Sequence, residues 1–170
     1  MEDLRYHFQQ TPSLANRVAL AQGLYHQGNY DAAGEHFTEA LRQEPQDLEA
    51  LYGSGLTSIA RKEYSQAAER LKTLLEIDKT YRQYAAWPAL AHALFEDGRR
   101  EECLGALKRL VEANPRMQHK VLLAQYLEKA GKPDEAHDVL NDALSEHERS
   151  PRFLKRRNYG HSSSSAADAA

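Results

Sequence analysis

The 170-residue chain holds one cysteine, Cys103. A lone cysteine excludes an internal disulfide and a cysteine-built metal cluster. Residues branched at Cβ are also scarce: Val, Ile and Thr together number 11, against 25 Ala and 22 Leu. Branched side chains suit strands, whereas Ala and Leu suit helices, so a β-rich fold is excluded and an all-α fold is expected. No apolar run approaches the ~20 residues that a membrane-spanning helix needs, and no secretory apolar segment follows Met1. The eight histidines include no two at the three- or four-residue spacing that pairs metal ligands on a helix face. Gly53 and Gly55 form a GxG, but no strand precedes them, so a phosphate-cradling loop fails on context. Nothing marks a catalytic, metal or cofactor site, and the chain is not expected to be an enzyme.

What is present is thinly apolar. The mean hydropathy is −0.74, which fits an elongated body better than one deep core. The net charge of −3 averages two unlike parts. Residues 149–157 hold Arg149, Arg152, Lys155, Arg156 and Arg157 with no acid, leaving −8 for the remainder. An acidic body does not favour polyanions, which argues against nucleic acid as the main partner. A basic segment can sit near anionic lipid, where each cation contributes ~1 kcal/mol.

The chain repeats itself. GNYDAAGEHFTEAL from Gly28 recurs in outline as KEYSQAAERLKTLL from Lys62, GRREECLGALKRLV from Gly98 and GKPDEAHDVLNDAL from Gly131. The small residues Ala33, Ala67, Cys103 and Ala136 lie 34, 36 and 33 apart. A second row, Ala21, Gly55, Ala91 and Ala124, has the same spacings. Small residues let paired helices approach closely, and stacked pairs bury what one pair cannot. Cys103 takes a place that alanine fills elsewhere, as a buried spacer.

These residues resemble the tetratricopeptide repeat, a 34-residue helix–turn–helix. Trp87, Leu90, Ala91, Leu94, Cys103, Leu107 and Pro115 carry the best-matching unit, and the others follow with Leu20, Gly28, Tyr30 and Phe37, with Tyr64 and Leu71, and with Leu127, Gly131 and Leu140. The second unit departs from the pattern: Lys62 stands at the turn glycine and Lys79 at the exit proline. The resemblance implies a right-handed α-solenoid of four units (14–47, 48–81, 84–117 and 117–150). Residues 1–13 are expected as an N-terminal cap or short helix, 151–159 as a basic capping helix and 160–170 as a disordered tail. Helices are expected at about 14–27, 30–43, 48–61, 64–77, 85–97, 100–113, 117–130 and 133–146. Pro88 is tolerable only in a first turn, so the fifth helix starts near Ala85 or Ala86. The 36-residue spacing places two extra residues near Arg82 and Gln83, where a longer loop is expected.

The resemblance also implies a concave groove lined by the first helix of each unit. Carried over, it turns Gln22, Tyr25 and His26 inward from the first unit, Tyr52, Leu56 and Ile59 from the second, and His92 and Phe95 from the third. The fourth unit offers polar residues. Aromatic and apolar side chains in a groove suit peptide or helix recognition. The chain's own Leu4 and Phe8 could fill it instead, or the residues could serve packing alone. The Lys/Asn/Arg clamp by which some members grip chaperone carboxylates is missing: its positions hold Val18, Gln22, Gly53, Ala85 and Ala89. The expected function is an interaction scaffold for a protein or peptide, in the cytoplasm. A looser similarity to bacterial members whose array follows a hydrophobic anchor gives the alternative. In it the chain is a cytoplasmic adaptor of a membrane-associated protein, with Arg152, Lys155, Arg156 and Arg157 near anionic lipid or nucleic acid. Oligomeric state is left open.

Overall fold

The computed structural model describes residues 13–149. The expected N-terminal cap, the basic capping helix with Arg152, Lys155, Arg156 and Arg157, and the tail lie outside the described residues. Among the described residues there are nine helices and no strand. They are α1 (Leu14–His26), α2 (Tyr30–Gln43), α3 (Leu48–Ala60), α4 (Tyr64–Ile77), α5 (Tyr81–Tyr84), α6 (Ala86–Glu96), α7 (Arg100–Ala113), α8 (Met117–Lys129) and α9 (Pro133–Arg149). Eight of them fall where the repeat places them, with α9 running three residues past its expected end. Packing divides the chain into two compact units, one ending at Leu110 and one beginning at Val111.

Local chemistry sets the helix ends. Ser13 Oγ accepts from the Asn16 amide at 3.2 Å, opening α1, and Asp47 Oδ1 accepts from Ala50 at 2.7 Å, opening α3. Such caps satisfy amides that have no partner inside the helix. Glu101 and Glu102 in the first turn of α7, and Asp134 and Glu135 in that of α9, suit the positive end of the helix dipole. Each pair turns in the same way. The amides of Asn29, Glu63, Arg99 and Lys132 reach back to the carbonyls of Leu24, Ser58, Leu94 and Leu127 at 2.8–3.0 Å. Each follows a residue of left-handed backbone, Gly28, Lys62, Gly98 or Gly131, with φ of 78°, 61°, 80° and 78°. This is the six-residue closure that favours glycine. Lys62 enters it with a side chain.

In the first unit α1 packs on α2, α3 on α4 and α2 on α3, while α4 packs on α6. The small-residue rows sit at these crossings: Ala21, Ala33, Ala67, Ala91 and Cys103 are fully buried. A Cβ on Gly55 would stand 2.8 Å from Leu71 Cγ, so this crossing needs glycine. Cys103 Sγ donates to the Ala91 carbonyl at 3.2 Å; it is an enclosed spacer. On the outer helices Glu102 Oε2 takes Lys72 Nζ at 2.8 Å, and Glu69 Oε1 takes Arg99 NH1 at 3.0 Å, tying α4 to α7.

The expected loop at Arg82 and Gln83 is instead a tight left-handed turn. Arg82, Gln83 and Tyr84 have φ of 44°, 56° and 73°. The amides of Tyr84 and Ala85 bond to the carbonyls of Thr80 and Tyr81, each at 3.2 Å. A spacing argument counts two extra residues but cannot give the hand of their backbone. Trp87 Nε1 anchors the turn by donating to the Lys79 carbonyl at 2.8 Å. Pro88 is the third residue of α6, where it interrupts no helical hydrogen bond.

In the second unit α8 packs on α9. Ala124 and Ala136 continue the small-residue rows and are buried. Lys120 is buried as well, and its Nζ bridges Asp142 at 2.9 Å and Glu146 at 2.8 Å. A buried ammonium needs such partners.

Candidate functional site

α1 and α3 lie side by side, as do α3 and α6. Between α1 and α3 opens a cavity of about 200 Å³. It is lined by five residues expected in the groove, Gln22, Tyr25, His26, Tyr52 and Leu56, joined by Phe37, Gly53 and Arg82.

The floor is Phe37, fully buried on α2. Its ring lies against the α3 backbone, and a Cβ at position 53 would stand 2.2 Å from Phe37 Cζ. Gly53 is therefore what lets the ring form a floor. Tyr25 makes one wall, with ring centroids 5.5 Å from Tyr30 and 5.6 Å from His26. Burial pushes the Tyr25 hydroxyl above its usual pKa, and Tyr30 and Tyr52 add to the shift. It thus stays protonated and able to donate.

The rim is organised by Glu49. Tyr81 OH donates to its Oε1 at 2.7 Å, and Gln22 Nε2 donates to its Oε2 at 3.0 Å. Arg82 donates to the same Oε2. The Arg82 guanidinium also lies 5.5 Å from the ring centroids of both Tyr52 and Tyr81, and these rings meet at 5.2 Å. Burial and the Glu49 carboxylate both push the Tyr81 hydroxyl far up, so it too remains a donor. The carboxylate thus gathers one donor from α1 and two from the left-handed turn at α5.

Three expected groove residues fall outside this cavity. Ile59 is half-buried on α3. His92 packs edge-on against Tyr64, with centroids 6.0 Å apart. Phe95 lies under the Arg100 guanidinium at 5.6 Å. Sequence reasoning missed Phe37 as a lining residue because it reads as core filler on a second helix. It missed Arg82 because a residue between repeats has no place in the repeat pattern; the 36-residue spacing was the one signal pointing there. No cluster of His, Cys, Asp and Glu able to hold a metal occurs among the described residues. Nor is any described helix long and apolar enough to cross a membrane.

Comparison with known proteins bears on the whole arrangement. Two family models, each described as Tetratricopeptide repeat, match residues 24–86 and 89–155. The crystal structure of MamA superposes with a TM-score of 0.73 at 18% identity, covering 86% of this chain and 85% of that one. "MamA 41-end" from Desulfovibrio magneticus RS-1 gives 0.72 at 18%, covering 88% and 87%. TTC0263, a thermophilic TPR protein in Thermus thermophilus, gives 0.59 at 29%, covering 78% and 74%. The MamA likenesses show the fold. No curated protein matches the sequence.

Proposed function

Because the chain belongs to the tetratricopeptide repeat family, whose fold is typical of protein–protein interaction scaffolds, we propose that it is a non-enzymatic scaffold whose α1–α3 cavity seats a partner peptide or helix. The carrying observation is the aromatic cavity itself, with Tyr25, Tyr52 and Leu56 standing over a buried Phe37 floor. Tyrosine is among the residues that carry most of the energy at protein interfaces, and an apolar floor beside it suits a buried anchor from a partner. Gln22 and His26 add polar contacts that orient a ligand. Ile59, His92 and Phe95 extend the proposed surface along α3 and α6. The enclosed Cys103 leaves no reactive thiol there, and a cytoplasmic setting fits a chain with one cysteine.

The test is capture of partners from source-cell extract with the wild type and with a Tyr52→Glu, Leu56→Glu double variant, their folding compared by circular dichroism. A carboxylate at each position would place charge on the apolar wall. Expected is loss of the captured proteins with helicity kept. Capture that survives in a folded variant would move the binding surface elsewhere.

A further inference from the structure

We infer that the cavity reads an acidic peptide: a large apolar side chain seated over Phe37, with a neighbouring Asp or Glu carboxylate bonded to Arg82. This rests on the reading of the cavity as a peptide site. None of its eight lining residues is acidic. Glu49, on the rim, already has both oxygens engaged, by Tyr81 on one side and by Gln22 and Arg82 on the other. The Glu49 carboxylate offsets the charge of Arg82, so what the site offers an incoming carboxylate is the part of the Arg82 fork that Glu49 does not take, beside an apolar floor. Arg82 is the one lining residue with a permanent charge. A guanidinium has five N–H groups in a rigid fork, so one carboxylate leaves room for a second. The Arg82 side chain is 51% exposed even with Glu49 bound. The Tyr52 and Tyr81 rings lie beside it, each at 5.5 Å, and with the Glu49 bond they hold the guanidinium at the cavity mouth.

The backbone supports the same reading. Left-handed backbone at a residue with a side chain is strained and persists where the surroundings enforce it, often at sites of function. Here Arg82, Gln83 and Tyr84 adopt it in succession. The two residues added to the repeat spacing form this turn, and the turn delivers a cation to the cavity mouth.

The test uses the full chain and three fluorescein-labelled peptides, acetylated and amidated so that no terminal charge contributes. Each carries a Leu-Phe pair flanked on both sides by glutamate, glutamine or lysine, and binding is read by anisotropy. The glutamate peptide is expected to bind about ten-fold more tightly than the lysine peptide, a ratio typical of a charge-assisted contact. Arg82→Gln is expected to narrow that ratio to about two-fold or less, and Arg82→Lys to restore part of it. In the wild type, raising NaCl from ~50 to ~500 mM is expected to shrink the ratio, since salt screens exposed charge. Equal or tighter binding of the lysine peptide would overturn the inference, as would a salt-independent ratio or one unchanged by Arg82→Gln. Peptides that bind and are lost on Tyr52→Ala, yet show no charge preference, would leave the peptide site standing and remove the acidic reading. Binding of none of the three would contradict both.

Discussion

Among the described residues two kinds of corner enter left-handed backbone, and they hold strain differently. Within helix pairs the corner is a single residue: Gly28, Gly98 and Gly131 take it freely, and Lys62 takes it with a side chain. Between α4 and α6 the corner is three successive residues, Arg82, Gln83 and Tyr84, with no glycine. A Cβ added to Gly98 or Gly131 would meet nothing within 4 Å, so glycine is favoured there by backbone conformation alone. The α5 corner is held instead by side chains, with Tyr81 and Arg82 bonded to Glu49 and Trp87 to the Lys79 carbonyl. The first kind of corner is structural and exchangeable between units. The second contributes one lining residue, Arg82, to the candidate site.

The largest effect is expected from breaking the second corner's anchor. Tyr81 is 6% exposed, and Tyr81→Ala removes both a buried ring and a donor to Glu49. A loss of about 3–4 kcal/mol in urea unfolding is expected, in the range for buried aromatic truncation. A loss below ~1 kcal/mol would show that the corner holds itself. Gly98→Ala probes the first kind. It should cost about 1 kcal/mol, the penalty for a Cβ in left-handed backbone, with the helix content unchanged.

Strain relief should sharpen the contrast in the other direction. Gln83→Gly and Lys62→Gly should each raise stability by up to about 1 kcal/mol, because glycine occupies positive φ without a Cβ clash. Greater flexibility of the unfolded chain offsets part of the gain. Destabilisation by either would mean that the side chain contributes more than the backbone loses.

The charged ladder joins the same two helix pairs as the α5 corner and has the smallest expected effect. The Arg99 hydrogen bond, followed by that of Lys72, lowers the Glu102 carboxyl to about 2. Its unfolded value is about 4.3. The folded value is the lower one, so this stabilisation is whole above the unfolded pKa. It drains away as pH falls from about 4.5 towards 2. Thermal unfolding at a series of pH values should fall less steeply over that window in Glu102→Gln. Parallel curves would show that the exposed ladder adds nothing.

The glycine corners and the small-residue rows were legible in the sequence because each recurs at a fixed interval and answers a local requirement. Pro88 located the start of α6 by the same local logic. Gln22, Tyr25, His26, Tyr52 and Leu56 were found through the repeat's inward positions and meet at one cavity. Phe37 and Arg82 were not found, for two distinct reasons, and Gly53 was placed only as a position of the missing clamp. The contact between the Phe37 ring and the Gly53 backbone joins a second helix to the next first helix, which no period encodes. The hand of the α5 corner depends on Tyr81 and Arg82 reaching Glu49, which lies 32 and 33 positions back. His92 and Phe95, placed in the groove by register, lie outside this cavity, with their rings against Tyr64 and Arg100.

The most direct measurement follows backbone amide shifts of the full chain during titration with the glutamate-flanked peptide. The largest changes are expected at Gln22, His26, Gly53, Leu56 and Arg82, around the α1–α3 cavity. Changes confined to the outer helices α2 and α4, with those five amides still, would contradict the account.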